Sequence, residues 1–153
     1  MSGEAITVAL LTIASVIAAT IMISAVYPSI NDVSGAFSSS TRTASERIQT
    51  DVKMINILNA TDAVDVWVKN TGSKKIASSL IEKTDVFFGA TGNFKFIPYN
   101  AGWNYTIVNG DGDNDWDPSE TLHISINSTT PKGEYYVGIV LYNSIAVSDY
   151  FST

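Results

Sequence analysis

Val64-Asp65-Val66-Trp67-Val68-Lys69 alternates apolar and other residues with a period of two. That period places alternate side chains on opposite faces of an extended strand, so one face is buried and one faces outward. Leu122-His123-Ile124-Ser125-Ile126-Asn127 repeats the pattern. Working outward, strand-like runs also occupy Met54 to Leu58, Asp85 to Phe88, Phe94 to Ile97, Trp103 to Val108, Tyr135 to Tyr142 and Ile145 to Tyr150. Turn residues separate them at Asn70-Thr71-Gly72-Ser73, Ala90-Thr91-Gly92-Asn93, Asn109-Gly110, Pro131-Lys132-Gly133 and Asn143-Ser144. Seven or eight short strands in the last hundred or so residues predict an all-β, immunoglobulin-like antiparallel β-sandwich. Tyr135 to Leu141, nearly continuously apolar, reads as a central strand.

Upstream the period changes. Ala5 to Val26 contains 22 residues and no charge, and at about 1.5 Å per residue such a helix crosses a hydrocarbon core of roughly 30 Å. Its apolar residues lie all round the circumference, which excludes a surface amphipathic helix. With no Lys or Arg before it, it lacks the positive start of a cleavable signal, so an uncleaved anchor is expected. Ala5 and Ala9, Ala14 and Ala18, and Ser15 and Ala19 stand four apart, a spacing that lets membrane helices approach closely and predicts self-association or pairing with another membrane helix.

Tyr27-Pro28 closes the stretch, where a proline is expected to kink or end the helix. Ile30, Val33, Phe37, Ala44, Ile48, Val52 and Ile55 keep a helical spacing, interrupted by Ser38-Ser39-Ser40-Thr41. Thr43 and Glu46 have capping-box spacing for a restarted helix. The expected organisation is an anchor at 1–28, a polar, partly helical neck with a seam for a partner helix at 29–52, and a β-sandwich at 53–153.

Composition narrows function. A net charge of −6, from 9 basic and 15 acidic residues, offers no surface for nucleic acid. With no Cys and one His, the chain lacks disulfides, thiolate metal sites and the residues most used in catalysis. His123 falls on the polar face of its strand, without the companions a triad or metal site needs. There is no catalytic constellation and no resident cofactor; an enzyme is not expected. Trp103 and Trp116, beside loops, are either core or an anchor for a partner.

The densest chemical feature is Asp111-Gly112-Asp113-Asn114-Asp115-Trp116-Asp117-Pro118-Ser119-Glu120. Asp111, Asp113 and Asp115 follow the first, third and fifth positions of an EF-hand loop, but Trp116 stands where glycine belongs and Glu120 comes too early. Asp111, Asp113, Asp115, Asp117 and Glu120 are candidate ligands for Ca²⁺ in a loop of another type; a solvated acidic turn is the alternative. Asn59, Asn104 and Asn127 head N-x-[ST] sequons. With the anchor, these candidate glycosylation sites favour an inner N-terminus and an outer C-terminal domain.

Gly3-Glu4-Ala5-Ile6, Ala25-Val26-Tyr27-Pro28, Ser45-Glu46-Arg47-Ile48-Gln49-Thr50-Asp51, Val68-Lys69-Asn70-Thr71-Gly72-Ser73, Asp85-Val86-Phe87, Asp115-Trp116-Asp117-Pro118-Ser119-Glu120-Thr121-Leu122 and Ser148-Asp149-Tyr150-Phe151-Ser152 occur in this order. In them the chain resembles the archaellum (archaeal flagellum) accessory proteins FlaF and FlaG, FlaG the closer, within the type IV pilin-like superfamily. The resemblance implies a single-pass membrane protein, its sandwich between membrane and surface layer. It implies a stator component that works with its sister protein, the archaellum motor and the surface-layer protein. Met1-Ser2-Gly3 lacks the basic residue that the pilin-processing peptidase expects, favouring a retained anchor. A minor archaellin-like filament subunit and a Ca²⁺-dependent adhesion module stand as alternatives.

Overall fold

The computed structural model describes residues 2–153. The chain divides into two compact units, Met1–Arg42 and Thr43–Thr153.

Helix α1, Ser2–Gln49, supplies all the described residues of the first unit and the start of the second. None of its residues is buried. Hydroxyl groups in its apolar part bond back to the helix itself: Thr7 to the carbonyl of Gly3 at 2.9 Å, and Thr12, Ser15 and Thr20 to those of Val8, Thr12 and Val16 at 2.8 Å. Every polar side chain of the apolar stretch before Ser24 is thereby satisfied locally, as a lipid environment demands.

The helix neither ends at Pro28 nor restarts at Thr43. Proline at position 28 removes only the bond to the carbonyl of Ser24, and the turns on either side are rich in good or tolerable helix formers. The serine run is likewise helical. The boundary between units therefore lies at Arg42/Thr43, earlier than the sequence-based limit at residue 52, because the last turn of α1 is fastened to the sandwich.

That fastening is made of backbone. Ser73 and Lys74 donate their amides to the carbonyl of Gln49 at 2.9 and 3.1 Å, and Thr71 and Gly72 donate theirs to that of Asp51 at 2.9 Å. Carbonyls at a helix end have no partner within the helix, and this turn supplies them. A Cβ on Gly72 would come within 2.4 Å of the Gln49 carbonyl oxygen, so only glycine fits. Thr50, buried, donates its hydroxyl to Glu46 O at 2.7 Å and accepts a bond from Asn143 Nδ2 at 2.9 Å.

Eight strands follow: β1 Val52–Asn59, β2 Val64–Asn70, β3 Asp85–Ala90, β4 Asn93–Ile97, β5 Trp103–Ile107, β6 Thr121–Ile126, β7 Glu134–Val140 and β8 Ala146–Ser152. They form two four-stranded antiparallel sheets, ordered β1-β2-β6-β5 and β4-β3-β7-β8. The alternating runs set the register: Val64, Val66 and Val68 face Ile126, Ile124 and Leu122 across β2 and β6, all buried. Val86, Phe88, Tyr135, Val137 and Ile139 supply the core from the other sheet. β7 is central, as its apolar content predicts.

Trp103 and Trp116 are both fully buried, so neither anchors a partner. Helix α2, Ser78–Ile81, is a single turn that carries the chain between β2 and β3 and buries Ile81. A register shift between Met54 and Asn56 in β1 leaves Ile55 exposed.

Candidate interaction sites on the sandwich

The acidic loop is tied down from within. Asp111 Oδ1 accepts the amide of Asp113 at 3.2 Å, Asp113 Oδ1 that of Asp115 at 2.9 Å, and Asp115 Oδ1 that of Ser78 at 3.0 Å. Asp111 and Asp113 each build a turn for the next aspartate, which is why the residue type recurs at these alternate positions. Glu120, buried, accepts the amides of Asp111 and Asp117 on its two oxygens at 3.2 and 2.8 Å. Trp116 plugs the loop into the core and donates its indole N–H to Glu120 O at 3.0 Å.

Three of the remaining carboxylate oxygens, one each from Asp113, Asp115 and Asp117, converge on Lys75. Its ammonium is hydrogen-bonded to Asp113 Oδ2 and lies 3.5 Å from Asp115 Oδ2 and 3.4 Å from Asp117 Oδ1. The hydrogen bond to Asp113, reinforced by the charge of the nearby Asp117 carboxylate, raises the Lys75 pKa well above its ordinary value. The same bond from Lys75 holds Asp113 below its ordinary value, helped by the amide of Asp115. Lys75 therefore already places a cation among Asp113, Asp115 and Asp117. One carboxylate oxygen from each of Asp111, Asp117 and Glu120 forms a second group, the three lying within 4.8 Å of one another. Of the five sequence candidates, Asp113 and Asp115 are thus engaged by Lys75, Asp111 and Glu120 belong to the second group, and Asp117 belongs to both.

His123 stands on the outer face of the first sheet. Its Nε2 is 3.0 Å from Asp65 Oδ1, its Nδ1 3.4 Å from Thr106 Oγ1, and its ring stacks on Trp67 with centroids 4.7 Å apart. These contacts occupy both ring nitrogens in holding strands β2, β6 and β5 together. The three sequon asparagines, Asn59, Asn104 and Asn127, are all exposed. Asn59 Oδ1 accepts a hydrogen bond from Thr130 Oγ1.

The second sheet shows what composition had concealed. Strand β4 is exposed almost throughout, with Phe94 and Phe96 48 and 53% exposed. Phe96 pairs with Phe87, and Phe94, Gly89, Tyr136 and Tyr150 form one cross-strand row. The rings touch in sequence: Phe87 to Phe96 at 5.9 Å between centroids, Phe87 to Phe94 at 6.5 Å, Phe94 to Tyr136 at 4.7 Å and Tyr136 to Tyr150 at 5.1 Å. Tyr136 lies over Gly138, where a Cβ would meet its hydroxyl oxygen at 2.6 Å and its ring carbons at 2.9 Å. Contiguous aromatic surface of this kind marks protein interfaces. A general assignment of aromatics to the core overlooks it; the strand alternation, applied to β4 and β7, identifies Phe94, Phe96 and Tyr136 as outward.

The model of the archaeal-type flagellin family matches residues 2–151. The chain belongs to that family. A protein of Archaeoglobus fulgidus, described as uncharacterized, is 35% identical over 161 aligned positions, covering 99% of both chains. Among solved structures, the archaellum periplasmic stator protein FlaG from Sulfolobus acidocaldarius superimposes with a TM-score of 0.57 at 24% identity, over 67% of this chain and 99% of that one. The complex of FlaF and FlaG from the same organism gives 0.55 at 24% identity, over 65% of this chain and 87% of the matched chain. This archaeal-type flagellin relative thus has the FlaG fold in its sandwich, in agreement with the motif order along its sequence.

Proposed function

We propose that this protein is a stator component of the archaellum: a single-pass membrane protein with its N-terminus in the cytoplasm and its sandwich outside, between membrane and surface layer. The carrying observation is the joining, in one chain, of a helix apolar enough to cross a membrane to a FlaG-like sandwich. Helix α1 is the anchor. The aromatic face of Phe87, Phe94, Phe96, Tyr136 and Tyr150 is the surface that grips other proteins, the sister archaellum protein first and the surface-layer protein with it. Such a task needs rigidity and adhesion, and no catalytic or cofactor site.

The test is affinity capture with the full chain in detergent, from envelopes that retain their surface layer. Recovery of the sister protein and surface-layer protein, reduced by Phe94→Ser with Phe96→Ser, supports the reading. Recovery of filament subunits alone, together with a mature N-terminus at Glu4 by mass spectrometry, replaces it with a minor filament subunit.

A Ca²⁺-dependent adhesion role rests on the convergence of Asp111, Asp117 and Glu120. Calorimetry with Ca²⁺ on the full chain decides it: heat that disappears in Asp111→Asn supports a site, and no heat ends it. Glycans on Asn59, Asn104 and Asn127 belong to the same outward topology, and glycopeptide mass spectrometry of native protein checks them.

A further inference from the structure

The helix carries more apolar surface than a membrane can cover. Ile23, Val26, Ile30, Val33 and Phe37 follow one another at alternating steps of three and four residues, the spacing of a coiled-coil seam. Ile30, Val33 and Phe37 are 60, 68 and 73% exposed. With Val26 as the last residue of the span, Val33 and Phe37 lie roughly 10 and 16 Å past the hydrocarbon at about 1.5 Å per residue. The headgroup zone extends only about 5–8 Å on each side. Phe37 therefore stands in water, beyond the reach of lipid.

We propose that this segment pairs in parallel with a second copy of the same chain through Ile23, Val26, Ile30, Val33 and Phe37. The inference rests on the membrane-spanning reading and is independent of the stator role. A shared bilayer gives two copies the same direction and the same depth, so the seams meet in register. Between Ala5 and Thr41 the one charged residue is Asp32. It sits off the seam and its flanks, so nothing there repels an identical helix or selects a different one.

Read backwards through the span, the same spacing gives Ala19, Val16, Thr12, Ala9 and Ala5. Small and β-branched side chains thus continue the seam into lipid, where close backbone approach holds helices together. Three of the small residues singled out by their spacing, Ala5, Ala9 and Ala19, fall on it; Ala14, Ser15 and Ala18 do not. Pro28 and Gly35 fall on the far side, seven residues apart. There the bond missing at Pro28 does not interrupt the contact.

The chain contains no cysteine, so single cysteines report without background. The full chain, reconstituted in phosphatidylcholine vesicles, is oxidised with Asn31→Cys, Val33→Cys, Gly35→Cys or Phe37→Cys. Because a disulfide needs Cβ atoms within about 4.5 Å, the Val33 and Phe37 variants are expected to give about tenfold more covalent dimer than the other two. Equal cross-linking at all four positions, or none, overturns the proposal, as does cross-linking that appears only after another archaellum protein is added. Alkaline extraction of the same vesicles separates the two readings. Release of the chain refutes the span itself, whereas a retained chain with silent seam cysteines refutes only the pairing.

Discussion

At Lys75 a single side chain sets the electrostatics of the whole acidic loop. Asp113 is held below its ordinary pKa of 3.8 by the lysine beside it. A carboxylate depressed on folding contributes stability above its unfolded pKa and loses it as pH falls through the folded value, so this contribution begins to fade near pH 4 and is lost progressively in stronger acid. Lys75→Gln should raise the Asp113 midpoint in an NMR carboxyl titration and flatten the fall of Tm in acid. At neutral pH the cost should be small, because the ion pair is solvent-exposed and screened. Glu120 is the opposite case, a buried carboxylate bonded to two loop amides. Glu120→Ala leaves both donors without their acceptor and should cost about 1–3 kcal/mol in urea unfolding for each amide kept from water. Gly72→Ala forces a methyl group against the Gln49 carbonyl. It should lower stability by about 1–3 kcal/mol, with hydrogen exchange accelerated first at Ser73 and Lys74.

At the scale of elements, the two faces of a strand answer differently to the same kind of change. Ile124 on β6 is fully buried, and Ile124→Ala should cost about 2–5 kcal/mol by denaturant midpoint. Phe96 on β4 is half exposed. Phe96→Ser should change stability by only about 0.5 kcal/mol while weakening capture of the partner. The alternation of β2 and β6 was legible residue by residue, since a period of two needs no knowledge of the neighbouring strands, and β7 was legible as a nearly continuous apolar run. The helix was read correctly to Val26 but broken too early at Pro28 and Ser38. Local preferences for caps and kinks are worth less than the hydrogen bonds of the turns on either side.

For the molecule as a whole, the division into two units has a simple expected consequence. The full chain should remain with membranes under alkaline extraction, and residues 43–153, which carry their own core, should be released as a folded domain. Retention of that fragment on protein-free lipid would show that the sandwich itself binds the bilayer. The unit boundary was not legible to better than about ten residues, because the contacts that draw Thr43 to Gln49 into the sandwich come from the 71–74 turn, remote in sequence.

By itself, then, the sequence determined the long apolar helix, the seven or eight strands and the two-sheet class, all written in periodicities that act over a few adjacent residues. Tertiary structure alone decided which aspartates meet Lys75, 38 residues distant from Asp113, and which aromatics gather on one outer face. Both depend on strand order and register, and those are fixed by the burial of side chains far apart in the chain.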